Sequence, residues 1–357
     1  MRLLPLLILL SVPASAKIAL DKIHLPKGFS ISVYAEGIKG ARSLALGEKG
    51  IVYVGSRREG KVYALSDADG DGRAETVSVI ARGLKSPNGV AVRHGRLYVA
   101  EISRILRFNE DLSDYEVVTD ALPTESHHGW KFIRFGPDGM LYVPVGAPCN
   151  ICLRDDDPRY ASILRMDPDT GKTTVYASGV RNTVGFDWRP GTTELWFTDN
   201  GRDWLGDDAP PDELNKADRA GLHFGYPFCH GGTISDPEFG DSRPCGEFKT
   251  PERNFGAHTA SLGIRFYTGS MFPKGYSGDA FVAQHGSWNR SVPIGYRIVR
   301  VMVRGGKAVN HEVFADGWLQ GRRAWGRPVD ILVLPDGSML VSDDRGDAVY
   351  RIVYEKK

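Results

Sequence analysis

The strongest constraint on the fold is a unit that recurs along the chain: an alternating apolar run, a short turn, and a second apolar run. It reads LALGEKGIVYVGS from Leu44, VAVRHGRLYVAE from Val90 and FIRFGPDGMLYVPVG from Phe132. It returns as FDWRPGTTELWFTDN from Phe186, as the weaker GDAFVAQHGS from Gly278, and as DILVLPDGSMLVSDD from Asp330. Period-2 alternation broken by Gly-rich turns specifies strands, because successive side chains of a strand point to opposite faces. The equivalent positions Tyr53, Tyr98, Tyr142, Trp196, Phe281 and Leu340 fall 45, 44, 54, 85 and 59 residues apart. A period of about 40–50 residues is that of one four-stranded propeller blade. Six copies therefore predict an all-β chain: a six-bladed β-propeller of four-stranded blades around a central channel.

Further runs supply the outer strands, among them KVYALSD, RILRFN, SILRMDP, YRIVRVMV and the C-terminal VYRIVYE. The segment FSISVYAEG from Phe29 has no blade of its own. It is expected to pair beside the last blade and close the ring, which removes an exposed sheet edge. The widest gap between copies, Gly201 to about Leu262, reads as a loop insertion rich in Asp, Pro and Gly. Long loops in compact folds are often functional. Residues 17–357 are expected to form a single domain.

The first residues, MRLLPLLILLSVPASA, place one Arg before an apolar run and end in Ala14-Ser15-Ala16. That is the pattern of a secretory signal peptide over residues 1–16, with a mature chain from about Lys17. The expected location is outside the cytoplasm, periplasmic or secreted, with no further membrane span. The formal net charge of +1 gives no basic footprint for nucleic acid and no polybasic membrane patch. An oxidising compartment permits disulfides. The four cysteines fall in two local sets, Cys149 with Cys152 and Cys229 with Cys245, and local pairing is the economical reading. Leu153 stands where haem attachment by C-x-x-C-H needs histidine. Zinc on four cysteines is the alternative use of these residues.

Loops at one mouth of a propeller converge on the channel, so candidate residues are sought where strands begin and end. His127-His128 precedes blade three, and Arg181-Asn182 precedes blade four. DNGRDWLGDDAPPDELN follows the second strand of blade four, and Arg327 precedes blade six. Taken singly, a double histidine or an arginine in a loop reads equally as a surface feature. Recurrence at equivalent edges favours a site. Asp199, Asp203, Asp207, Asp208, Asp212 and Glu213 crowd one Gly/Pro segment, relieved by Arg202. Such an oxygen-rich loop suits calcium, with a solvated acidic loop as the alternative. Asp67, Asp69 and Asp71 resemble a calcium loop, but Ser78 stands where an EF-hand needs Glu, and a polar turn is the better reading.

With these blocks in order, the chain resembles the soluble pyrroloquinoline quinone (PQQ)-dependent sugar dehydrogenases, most nearly their sorbosone dehydrogenase-like branch. The resemblance is carried by HHGWKFIRFGPDGMLYVPVG, GVRNTVGFDW, TDNGRDWLGDDAPPDELN, HFGYPFCHGG, GIRFYTGSMFP, AQHGSWNR and GRPVDILVLPDG, and covers nearly all of the mature chain. It implies PQQ and Ca2+ as cofactors, a sugar or sugar-derived aldehyde or alcohol as substrate, and an external quinone or cytochrome as electron acceptor. It implies His128 as catalytic base, with His127 beside it to orient it or bind substrate. Arg181 and Asn182 match the pair that contacts the quinone, and Arg327 an arginine that covers it. Arg290 is matched to a PQQ carboxylate. Gly201 and Arg202 match the residues whose backbone carbonyls hold the calcium, with Asp212 and Glu213 as neighbouring carboxylate candidates. The sugar enzymes carry proline where Arg202 stands, and the stretch from Asp203 to Pro211 is longer than in the glucose enzymes.

The chemistry is coherent without the resemblance. Oxidising an alcohol needs a base for the proton, which imidazole suits, and a hydride acceptor, which no side chain supplies. Two competing readings remain at this stage: a calcium-dependent lactonase-type propeller hydrolase, and a non-catalytic exported binding propeller. The first needs Asp, Asn and Glu side chains from several blades around one ion.

Overall fold

The structure, a computed structural model, describes residues 18–356. The expected signal peptide lies outside the described residues. Six sheets, each built on four antiparallel strands, follow one another along the chain as the blades of a propeller, and blade three gains a short fifth strand, Leu222–His223, parallel to its outer strand Thr173–Ser178. Blade one runs Ala41–Leu46, Val52–Ser56, Val62–Ser66 and Thr76–Ala81 from the channel outward. Blade six runs Pro328–Val333, Met339–Asp343 and Ala348–Tyr354, and its outermost strand is Phe29–Glu36 from the N-terminal side. Phe29 pairs with Tyr354 and Glu36 with Ala348, so the ring closes as FSISVYAEG predicts.

All six repeat markers occupy the second strand of their blades, in Val52–Ser56, Arg96–Ala100, Leu141–Val145, Leu195–Asp199, Ala280–Gln284 and Met339–Asp343. Five of these strands are buried along their whole length, because both faces pack against neighbouring blades. That burial makes the second strand the clearest signal in the sequence, since strands buried on both faces read as continuous apolar runs. Outermost strands such as Thr76–Ala81 stay exposed or half-buried along their whole length. At the closing seam Phe272, Phe281, Phe314, Trp318 and Tyr350 form one buried aromatic cluster. Each such side chain contributes about 1.5–3 kcal/mol by leaving water.

Blade four corrects the sequence reading. Its strands are Phe186–Trp188, Leu195–Asp199, Pro211–Ala217 and Arg253–Ala257. Pro211–Ala217 and Arg253–Ala257 of the expected 201–262 insertion are therefore blade, and the excursion between them runs from 218 to 252. PDELNKA hides its strand character because Asp212, Glu213 and Asn215 are buried polar residues with internal partners. Both local disulfides are formed, Cys149–Cys152 and Cys229–Cys245, the second inside the excursion.

Around the channel every blade junction carries a polar tie. Arg42 Nε donates to Asn88 Oδ1 (2.8 Å), and Asn88 Nδ2 to the Lys131 carbonyl (2.8 Å). Arg134 pairs with Asp187 (3.3 Å), whose other oxygen accepts the Phe266 amide (2.9 Å). Arg265 Nε reaches the Ile331 carbonyl (2.9 Å), and the Leu44 amide donates to Asp330 (2.8 Å). Buried polar groups need such partners, and here the partners lie on adjacent blades, which fixes blade spacing. The approach is close: a Cβ on Gly185 would lie 2.3 Å from the Leu262 carbonyl oxygen of the next blade. No helix among the described residues is long and apolar enough to cross a membrane.

Candidate active site

In an antiparallel blade the start of the innermost strand and the end of the second lie at the same edge. One mouth of the channel therefore gathers two loops from each blade. Arg42, His128, Arg181-Asn182 and Arg327 come from segments leading into innermost strands. Arg57-Arg58, Gly201, His285 and Asp344 follow second strands. All of these but Asp344 line a cavity of about 440 Å³. That is within the range of small-molecule sites, roughly 300–1,000 Å³. Two other hollows, of about 350 and 230 Å³, collect no comparable set of His and Arg from the mouth loops.

His128 holds a left-handed backbone, φ 49°, and its Nδ1 lies 2.9 Å from the Ala147 carbonyl. A carbonyl only accepts, so the bond puts the proton on Nδ1 and leaves Nε2 as the free base. Gly146 makes room for it, since a Cβ there would lie 2.5 Å from the His128 Cβ. Burial, followed by the nearby Arg181, holds the imidazole well below its ordinary range, so it stays neutral at physiological pH. His127 packs against it edge-on, with ring centroids 4.1 Å apart, and its pKa is lowered by burial and then Arg181.

Arg181 is buried and locked. Its Nε donates to the Asn150 carbonyl and its Nη2 to Asn150 Oδ1 (both 2.8 Å), with Asp203 at 3.2 Å. Asn150 sits between the two cysteines of the Cys149–Cys152 disulfide, and Tyr226 Oη accepts the Cys152 amide (3.0 Å). The amides of Arg181 and Asn182 both donate to Asp199, which burial and the facing Glu213 push up to about 8. Arg327 donates from Nε and Nη2 to the His285 and Gly286 carbonyls.

Sequence reasoning missed Arg42, Arg57, Arg58 and His285. Arg57 stacks 3.4 Å over the Trp130 ring, and burial and Arg42 lower its pKa to about 10. His285 Nε2 and Arg42 Nη1 both engage Asp344, at 2.8 and 2.9 Å. Five arginines line the cavity against two aspartates, Asp203 and Asp212. It is complementary to a ligand carrying several negative charges.

The acidic segment is organised differently from the expectation. Its outer carboxylates, Asp203, Asp207 and Asp208, are met by internal donors, whereas buried Asp199 and Glu213 face each other and are pushed up to about 8 and about 7, chiefly by burial. Asp203 accepts Arg181 and Asn289, Asp207 the Ser291 amide, and Asp208 Arg290. Arg290 thus ties two mouth loops together and does not line the cavity. Arg202 turns its guanidinium away into a buried cluster with Asp236 (2.6 Å) and Glu238, where His230 also meets Asp236 (2.9 Å). Asp212 accepts the Gly201 amide, Thr259 Oγ1 and the Ser261 amide, so it props Gly201 from behind. Glu213 accepts Gly231 and Asn215 beside a separate small cavity shared with Asp199. The Gly201 and Arg202 carbonyls accept no hydrogen bond among the described residues, nor do those of Trp204 and Leu205 in the same segment, and of these four residues Gly201 lines the cavity.

Fold and site together define a six-bladed propeller with a cationic, histidine-bearing cavity at one mouth of its channel. The chain belongs to the family described as a domain of unknown function, DUF7133, whose model matches residues 15–353. An uncharacterized protein of Borreliella burgdorferi is 32% identical over 367 residues, covering 97% of this chain and 94% of that one. Among solved structures, the iodide structure of a Trichoderma reesei carbohydrate-active enzyme of family AA12 superposes with a TM-score of 0.82 at 19% identity, covering 93% of this chain and 98% of that one. A calcium structure of that family from the same organism gives 0.77, also at 19% identity, with 93% and 97% covered. The holo form of the PQQ domain of pyranose dehydrogenase from Coprinopsis cinerea gives 0.77 at 18% identity, with 93% and 97% covered. At these identities the likeness establishes the fold.

Proposed function

We propose that this protein is a PQQ- and calcium-dependent oxidoreductase that oxidises a sugar, or a sugar-derived alcohol or aldehyde hydrate, with His128 as general base. The observation that carries the reading is one cavity in which a neutral, tautomer-fixed imidazole faces a wall of arginines from several blades. The likeness to the holo PQQ domain of pyranose dehydrogenase supports it. A planar tricarboxylate fits the residues present: Arg57, stacked on Trp130, and Arg327 have no carboxylate partner within hydrogen-bond reach among the described residues. The two free carbonyls at Gly201 and Arg202 fit calcium, which takes backbone oxygens readily. When bound, the pair supplies a hydride acceptor and a Lewis acid beside it.

The chain's own work is positioning and proton transfer. His128 Nε2 takes the proton of the substrate hydroxyl as the C–H bond is broken. The Ala147 carbonyl steadies the resulting imidazolium through Nδ1. Arg181, held by Asn150, and Arg327, held by two carbonyls, place fixed positive charge where negative charge develops. No cluster of carboxylates from several blades supports the lactonase reading among the described residues. Among the described residues the one group of three or more ligand side chains closing on a point is Asp67, Asp69, Asp71 and Glu75, which is not part of the cavity. Dye-linked sugar oxidation by protein supplied with PQQ and calcium tests the proposal. Activity that appears only with both supports it, and no oxidation with any sugar or sugar aldehyde refutes it.

A further inference from the structure

Two of the chain's tryptophans stand in water side by side. Trp204 and Trp288 are each 67% exposed, whereas Trp196 and Trp318 are fully buried. Their rings meet at right angles, 86°, with centroids 5.4 Å apart. They come from different blades: Trp204 follows the second strand of blade four and Trp288 the second strand of blade five. Large aromatic side chains left exposed together mark a binding surface more often than a packing fault.

The corner is rigid. Asn289 Nδ2 donates to Asp203 (2.8 Å), the Ser291 amide to Asp207 (3.0 Å), and Arg290 to Asp208 (2.9 Å), so the two loops are fastened on both sides of the tryptophans. His258 adds a bond from Nε2 to the Gly206 carbonyl (2.8 Å). Trp204 itself is held at φ 70°, a left-handed conformation costly for a bulky residue and sustained only by such surroundings. Trp288 and Asn289 line the cavity, and Asn289 Oδ1 is buried without a protein partner.

We propose that Trp204 and Trp288 form a docking wall for the pyranose ring of a neutral saccharide at the rim of the cavity. The inference rests on reading the cavity as a sugar-oxidation site, and it adds the residues that select the substrate. A pyranose offers an apolar C–H face and a belt of hydroxyls. The face matches an indole, whose π-surface is apolar and electron-rich. At the rim Asp203, Asp207, Asp208 and Arg290 are bonded across the two loops, so the wall between them suits an uncharged ligand. A protein partner needs about 1,000 Å² or more of complementary surface. Here the exposed apolar residues of the two loops are these tryptophans and Val292.

The test titrates glucose, cellobiose and maltotriose into the protein, with and without PQQ and calcium, by calorimetry and tryptophan fluorescence. At least one saccharide is expected to bind and to change the emission. Trp204→Ala and Trp288→Ala should each weaken that binding about tenfold or more, and the corresponding Phe variants should retain most of it. Both residues are exposed, so the variants should fold, which circular dichroism checks. Trp204→Ala should leave PQQ affinity within about twofold of wild type. If wild type binds none of the saccharides, or the double Ala variant binds them as wild type does, the wall is not a sugar site. If a soluble cytochrome c loses binding in the Ala variants while saccharides do not, the wall belongs to the electron acceptor and the proposal falls. Saccharide binding that depends on the tryptophans in a protein that never takes up PQQ would sink the cofactor reading alone.

Discussion

Replacing His128 with Asn separates its chemistry from its geometry. Asn tolerates the left-handed backbone that His128 adopts, and its Nδ2 can donate to the Ala147 carbonyl as Nδ1 does. What it lacks is any group at the position of Nε2. A positioned general base contributes roughly 10²–10⁴ in rate, about 2.7–5.4 kcal/mol at 1.36 kcal/mol per decade. Stopped-flow mixing of PQQ- and calcium-loaded protein with saturating sugar reads the reductive half-reaction directly. The variant should lose two to four decades there, while PQQ affinity changes less than about threefold. The pH profile adds a second check. Burial and Arg181 lower the folded pKa of His128 below 6.5, so the base stays competent on acidification until the pH falls through that lowered value. The acid limb of wild-type kcat/KM should therefore lie below pH 6.5, and the limb should vanish in His128→Asn. A loss under about tenfold, matched by an equal loss in His127→Ala, or an acid limb unchanged in the variant, would refute the assignment.

Other parts of the account are open to simpler tests. Gly185→Ala drives a methyl against the Leu262 carbonyl and should cost about 1–3 kcal/mol, read as a fall in Tm of about 1–4 °C, whereas an unchanged Tm would mean the blades separate freely. Lys131 is fully buried with one bond to the Gly129 carbonyl, and burial lowers its pKa from 10.5 to about 7. Between those values the unfolded chain holds more protons than the folded one, so stability should rise with pH by up to about 1.4 kcal/mol per unit. Denaturation curves of Lys131→Met should lack that rise, and an identical pH dependence would show that Lys131 does not titrate there. Cys149→Ser with Cys152→Ser frees the loop that carries Asn150, so PQQ affinity and Tm should fall through Arg181 while the half-reaction survives. Complete loss of that half-reaction in a folded variant would place the disulfide in the catalytic path.

The propeller was legible because burial on both faces forces each second strand to be apolar, and the six markers share that strand. The third strand of blade four was not, because Asp212, Glu213 and Asn215 satisfy one another and nearby amides inside the blade, and such residues carry no periodic signal. His128, Arg181, Asn182, Gly201 and Arg327 do converge, since each stands at an edge that the repeat itself locates. Arg42 and Arg57 occupy equivalent edges outside every motif block, and His285 lies inside AQHGSWNR, where Arg290 was read in its place; ring closure brings the three together. Arg290 shows the opposite error. It stands beside cavity residues in sequence, yet Asp207 and Asp208 from the facing loop claim its guanidinium. The same pairings account for the outer carboxylates Asp203, Asp207 and Asp208, while the buried Asp199 and Glu213 face each other without such relief.

The central claim is that the mouth cavity holds PQQ through calcium at the Gly201 and Arg202 carbonyls. The most direct measurement is a calorimetric titration of PQQ into metal-stripped protein, in excess calcium and in excess chelator. The account predicts one tight site per chain in calcium, weakened about a hundredfold or more by the chelator, with dye-linked sugar oxidation appearing in step with occupancy. No PQQ uptake in either condition, or sugar oxidation undiminished after exhaustive chelation with no quinone in the spectrum, would contradict it.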